Sequence, residues 1–211
     1  MENQTINPNV IQPETNIINR VIGIITKPAA EWEKIKEELP NVQNIITTYV
    51  LPLLIVSGIC TMLGYALIGN STTIPFVGTI TQIGWSLGIK SALISVLSSV
   101  IAVFISALII NALATSFRSE ANFGKSVQLV SYSFTPSYIG GILSIVPAIG
   151  WIGTLFGLYG LYLMYLGLMP LMKTPKENAV GYLVVSILVI IVSYVIISLI
   201  LGVLLAFIFI V

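Results

Sequence analysis

The placement of charge constrains this chain more than any motif in it. Of seventeen charged residues, ten fall within the first 38 positions, and the other seven (Lys90, Arg118, Glu120, Lys125, Lys173, Lys176 and Glu177) divide the remainder into long uncharged blocks. Only 8% of the residues are charged and 56% are hydrophobic, where a soluble domain averages roughly 25% charged. A chain so composed must turn much of its surface toward lipid, which describes a polytopic membrane protein with a soluble N-terminal tail.

A helix needs about 20 apolar residues to cross a hydrocarbon core of roughly 30 Å, and each uncharged block can be measured against that length. The first predicted span covers residues 45–68 and is followed by the polar turn Gly69-Asn-Ser-Thr-Thr73; the second covers 91–115. Between them, residues 74–89 are apolar but interrupted by Pro75, Gly78, Gly84 and Gly88. They are expected to be interfacial, re-entrant or part of the second span. The block from Ser126 to Met172 is too long for one crossing, and Pro147 and Gly150 near its middle supply a turn, giving arms 126–146 and 150–171. The last block yields one long span, 179–208, which must tilt or overshoot the bilayer. The expected fold is therefore all-α, an integral membrane bundle of five transmembrane helices over residues 41–211.

Orientation follows from Lys and Arg residues in short loops, which tend to stay cytoplasmic during insertion. On this topology eight of the nine cations fall on one side, with Lys90 alone on the other, and every Glu joins the eight. The N-terminus is expected in the cytoplasm and the C-terminus across the membrane. The polar, Asn-rich start does not resemble a cleavable signal peptide.

Residues 1–13 are rich in Asn, Gln and Pro and are expected to be disordered. From 14 to 40 the pattern becomes that of amphipathic cytoplasmic helices. Ile17, Ile18, Val21, Ile22 and Ile25 recur at helical spacing, Pro28 breaks and restarts the helix, and Trp32, Ile35 and Leu39 share a face. Two arrangements are open: helices lying on the membrane surface with Trp32 at headgroup level, or a cap packed under the bundle. Four Glu against two Lys between Glu31 and Glu38 argue against a polybasic lipid switch.

The chain has no His and no Asp, which excludes a Ser-His-Asp triad, His-based zinc sites and paired catalytic aspartates. No Glu falls inside a predicted span, so a midplane proton relay has no candidate. Lys90 beside Ser86 or Ser91 is more simply a snorkelling lysine than half of a Ser-Lys pair. The lone Cys60 makes no intramolecular disulfide, and the near-neutral charge with no basic cluster argues against nucleic acid. Asn70-Ser-Thr72 matches a glycosylation sequon, a triplet common by chance. Neither cofactor nor metal is expected, and the chain is read as non-enzymatic.

The predicted spans do carry small residues at packing intervals. In the fourth, Gly150, Gly153, Gly157, Gly160 and Gly167 fall on nearly one face; Ser91, Ser95, Ser98, Ala102 and Ser106 do so in the second, and Ser133, Ser137, Gly140 and Ser144 in the third. Ser198, Gly202 and Ala206 add a fifth-span set. Such stripes suit a compact bundle, a homo-oligomer interface or a lipid-lined groove. Tyr159, Tyr162 and Tyr165 read as bundle or interface residues, and Asn111 as an interhelical hydrogen bond.

The run Ile25-Thr-Lys-Pro28 followed by Trp32, the stretch Phe123-Gly-Lys-Ser126 leading into Tyr132 and Pro136, and the segment from Tyr159 to Ala179 resemble the Yip domain family, membrane proteins named for interaction with Ypt and Rab GTPases. In the last segment Leu163, Gly167, Lys173, Thr174 and Pro175 stand at matching places. The resemblance covers roughly residues 20–205, and it implies a five-span membrane organiser or adaptor. The tail of about 44 residues resembles that of prokaryotic members, which implies a prokaryotic cell membrane. The cytoplasmic interaction face is expected to comprise Pro28, Trp32, Arg118, Lys125, Lys173 and Lys176, meeting a protein partner or membrane lipid headgroups. The competing expectation is a transporter or channel for a small or lipidic solute, with a path lined by Ser, Thr, Tyr and Asn111.

Overall fold

A computed structural model describes residues 16–74 and 78–210, with side chains at 70, 72–74, 79, 154 and 197–210 left undescribed. The expected disorder of residues 1–13 lies outside what is described, as do the side chains of the Ser198, Gly202 and Ala206 set. Among the described residues four helices are long and apolar enough to cross a membrane: Val42–Ile68, Trp85–Phe117, Pro147–Met172 and Lys176–Ile196. The protein is an integral membrane protein built almost wholly of helix.

Two short helices come first, α1 (Ile17–Thr26) and α2 (Pro28–Glu37). The Asn16 side chain caps α1 by accepting from the Ile18 and Asn19 amides, at 3.0 and 3.3 Å. Pro28 disfavours helix at Lys27 and then supplies the preset φ of the first α2 position. Glu31 in the first turn and Lys34 and Lys36 in the last complement the α2 dipole.

Helix α3 (Val42–Ile68) is continuous but not uniform, with π-helical stretches at Ile46–Val50 and Gly64–Ile68. Pro52 lies just after the first stretch, where its missing N–H would break an ordinary α ladder. Of residues 74–89, expected to be interfacial, re-entrant or part of the second span, Trp85–Ile89 open the next long helix, and residues 78–82 pair with 70–74 in a β-hairpin. Strand β1 (Asn70–Ile74) pairs antiparallel with β2 (Gly78–Gln82), Thr72 opposite Ile80. Thr and Ile in alternation favour strand over helix, and Gly69, Gly78 and Gly84 take positive φ at its margins. Helix α4 (Trp85–Leu113) therefore starts six residues before the expected 91, and it runs on through a 3₁₀ turn to Phe117.

The third expected span is the one the structure redraws most. In place of a single arm over 126–146, α5 (Phe123–Ser133) and α6 (Thr135–Gly140) meet at Phe134, and a 3₁₀ stretch continues to Ile145. Pro136 removes a helical hydrogen bond at the break. A second 3₁₀ stretch, Pro147–Ile152, leads into α7 (Gly153–Met172), and α8 (Lys176–Ile210) closes the chain.

The core forms where α3, α4, α5 and α7 meet, around Val50, Val103, Ile110, Val127, Leu129, Leu163 and Leu168. Helix α8 is tied to this core by Tyr182, whose hydroxyl donates to the Ile110 carbonyl and whose ring stacks on Phe117 at 5.0 Å. Outward positions such as Leu93, Leu97, Ile101, Leu188 and Ile191 remain exposed apolar side chains, as lipid contact requires.

Candidate functional site

One end of the bundle collects nearly all the described charge, and it is built from three pieces: the α1–α2 pair, the loop between α4 and α5, and the loop between α7 and α8. The α1–α2 pair packs against the bundle as a cap. Trp32 is 1% exposed and meets the ring of Tyr132 edge-on at 6.4 Å, so it is not placed to float at headgroup level. Ile24 and Ile35 are fully buried beside it. Burial of three such side chains favours the docked cap by roughly 1.5–3 kcal/mol each. Ile18 and Ile22 point outward and stay exposed.

Polar groups fix the cap's register. Arg20 is buried on the apolar side of α1 and pairs with Glu31 at 2.8 Å and with Glu38 through its other terminal nitrogen. Its guanidinium also lies 5.3 Å over the Tyr132 ring. Burial pulls the Arg20 pKa down, but Tyr132 and the Glu38 and Glu31 carboxylates hold it above its ordinary value. Lys34 caps the free Glu31 oxygen at 3.0 Å. From the bundle, Lys125 Nζ donates to the Lys36 and Glu38 carbonyls at 2.8 and 2.9 Å, and the Tyr159 hydroxyl donates to the Ile25 carbonyl at 2.7 Å. Half-burial pulls the Lys125 pKa below the usual lysine value, which Glu38, Glu37 and Glu120 only partly offset.

The two loops are joined as firmly. The Glu120 amide donates to the Met172 carbonyl at 2.8 Å, Ser119 Oγ to Thr174 Oγ1 at 2.9 Å, and Asn178 Nδ2 to the Phe117 carbonyl at 3.0 Å. Each loop opens on a cation in the left-handed region, Arg118 at φ 55° and Lys173 at φ 51°. Both sit at helix C-termini, where positive charge meets the negative end of the dipole. Lys173 pairs with Glu120 at 2.6 Å on the surface.

Of the six residues expected on this face, Arg118, Lys173 and Lys176 are exposed, Lys125 and Pro28 are half-buried, and Trp32 is buried. Trp32 thus belongs to the support of the face and not to its surface. Among the described residues Arg118 and Lys176 have no ion-pair partner. Sequence reasoning missed Arg20, Glu31 and Glu38 as a unit. The signal was a single charge on the apolar face of α1 between Ile17 and Ile24, matched by carboxylates at 31 and 38 flanking Ile35 on one face of the next helix.

The α7 glycines face the third-span segments and the cap. A Cβ at Gly153 would lie 2.8 Å from the Gly140 carbonyl oxygen, and one at Gly160 2.8 Å from that of Ser133. At Gly167 it would meet Leu129 at 2.5 Å and the Trp32 ring at 2.8 Å. Gly150 and Gly157 have ordinary spacing, with nearest atoms at 3.8 and 3.7 Å in Ser144 and Ser137. Asn111 Oδ1 has no hydrogen-bond partner among the described residues, so the interhelical bond expected of it is not formed through that atom. No group of His, Cys, Asp and Glu able to hold a metal ion occurs among the described residues.

No curated protein and no solved structure matches this chain. The Yip1 domain matches residues 22–199, a range that takes in the cap from Ile22, both stapled loops and the glycine face of α7, and the chain belongs to the Yip1 domain family.

Proposed function

We propose that this protein is a non-enzymatic integral membrane adaptor with five crossings and a cytoplasmic N-terminus, and that it holds a protein partner on the charged end of its bundle. The observation that carries this reading is the contrast between the two kinds of cation there. Arg20 and Lys125 are consumed in fixing the cap, while Arg118, Lys173 and Lys176 stand exposed on two loops stapled into one rigid surface. Carboxylates are interspersed with these cations, since Glu33, Glu37, Glu120 and Glu177 are exposed on the same end. A mixed pattern suits a protein surface of complementary charge better than an anionic bilayer, which favours runs of one sign. The family's association with membrane trafficking supports the same reading.

Parity supports five crossings. Residues 120 and 172 are hydrogen-bonded at one end of the molecule, so with α7 crossing the bilayer the chain between them leaves and returns. Helix α7 supplies the return, and the α5–α6–3₁₀ segment then supplies the outward leg. A Cβ on Gly64, deep in α3, would collide with the Ser144 carbonyl, which is consistent with that leg reaching the far end. The eight-to-one cation split supports a cytoplasmic charged end.

The test is cross-linking in native membranes followed by mass spectrometry, comparing wild type with Arg118→Glu/Lys173→Glu/Lys176→Glu. The expected outcome is loss of one or a few protein adducts, with expression and cap docking unchanged. Adducts that survive the triple charge reversal would sink the adaptor reading. If instead the variant loses only retained anionic lipid, the face is a headgroup site.

A further inference from the structure

We propose that a cavity between α3, α4 and α6 binds the alcohol end of a neutral lipid. The cavity has a volume of about 270 Å³ and is lined by five hydroxyl side chains, Ser57, Ser95, Ser99, Ser137 and Tyr138, over an apolar floor that includes Leu54 and Phe134. It lies within the spans: Ser57 is near the middle of Val42–Ile68 and Ser99 near the middle of Trp85–Phe117.

The hydroxyls are not equivalent, and their difference selects the ligand. Ser57 and Ser99 spend their protons on backbone carbonyls, donating to Leu54 at 3.1 Å and to Ser95 at 2.8 Å. Their oxygens keep lone pairs and can only accept. Ser95 and Ser137 are half-buried and their protons are not engaged among the described residues, so they can donate as well as accept. Tyr138 lines the cavity through its ring, its hydroxyl being buried away from the open space. The cavity thus offers acceptors at Ser57 and Ser99 and free donors at Ser95 and Ser137. An alcohol matches both halves, since it donates through its proton and accepts through its oxygen. A carbonyl or ether matches Ser95 and Ser137 alone.

Charge and size narrow the class further. No carboxylate, lysine or arginine lines the cavity, and a charged headgroup at this depth would be costly. The volume is just below the roughly 300 Å³ at which pockets enclose whole drug-sized ligands, so it takes a polar end and leaves a tail outside. Ser95, Ser99, Ala102 and Ser137 are only half-buried, and the neighbouring Ile94, Leu97 and Ile101 of α4 are exposed to the surroundings. Entry is therefore lateral, from the acyl region. This site is separate from the charged end and stands or falls independently of the adaptor reading.

Photo-labelling in membranes tests it with three clickable diazirine probes: a diacylglycerol, a sterol and a phosphatidylcholine of matched chain length. The expected result is labelling of peptides from residues 134–141 by one or both of the alcohols and not by phosphatidylcholine. Ser95→Ala, which removes one free donor from the lining, is expected to reduce labelling about fivefold, the loss of one hydrogen bond. Ser99→Leu, which fills the cavity with a residue suited to a membrane helix, is expected to abolish it. Equal labelling by all three probes, labelling indifferent to Ser99→Leu, or no labelling at all, as for a cavity holding water alone, each overturns the proposal.

Discussion

Arg20 shows how one side chain commits a segment to a single docked position. It is 1% exposed and neutralises two buried carboxylates that belong to a different helix and its trailing linker. Removing it strands Glu38 in the interior and leaves Glu31 with Lys34 alone, a loss of roughly 3–5 kcal/mol. Arg20→Leu is therefore expected to undock the cap, measured as exposure of Trp32 fluorescence to an aqueous quencher in a Trp85→Phe/Trp151→Phe background. Replacing all three members by leucine is expected to restore most of the docking, because well-packed apolar groups can substitute for a buried ion network. If the single variant quenches like wild type, the network does not hold the cap. The sequence marked Trp32 and Pro28 as special but not their neighbours. Hydrophobic spacing locates an apolar face directly, whereas a buried ion pair is recognisable only once two helices have been brought together.

At the scale of the element, α7 and the 3₁₀ stretch leading into it separate glycines that are required from glycines that are merely small. A Cβ at Gly153 or Gly160 runs into backbone carbonyls that cannot rotate away, and one at Gly167 presses on Leu129 and the Trp32 ring. Gly153→Ala, Gly160→Ala and Gly167→Ala are each expected to destabilise by about 1–3 kcal/mol, read as a lower midpoint in denaturant titrations of the detergent-solubilised protein. Gly150→Ala and Gly157→Ala, with nearest atoms beyond 3.6 Å, are expected to stay within about 0.5 kcal/mol of wild type. A uniform response across the five would refute this ranking. The stripe itself could be read in the sequence because helical periodicity displays it. Which glycines touch backbone depends on the neighbouring segment, and the break at Phe134 sets the positions of Ser133 and Gly140 against α7.

Across the whole molecule, the apolar blocks located the four helices long enough to cross a membrane, because hydrocarbon thickness translates directly into residue number. The hairpin over 70–82 was less legible, since a short apolar run beside glycines fits a strand or an interfacial turn equally well before pairing is known. The topology is tested by cysteine scanning in a Cys60→Ala background. Cysteines at Arg118 and Lys176 are expected to react with a membrane-impermeant maleimide from the cytoplasmic side, and one at Ser71 from the other; reaction from the same side overturns the five-crossing arrangement. The broken third leg carries a consequence for biosynthesis. Its first half buries Ser126, Gln128, Ser131 and Ser133 against protein, and the cover that α7 supplies is missing until α7 has emerged from the ribosome. The leg and α7 are thus expected to enter the bilayer together as one paired unit. A nascent chain stopped at residue 149 should leave its third segment outside the membrane, while one stopped at residue 180 should insert both.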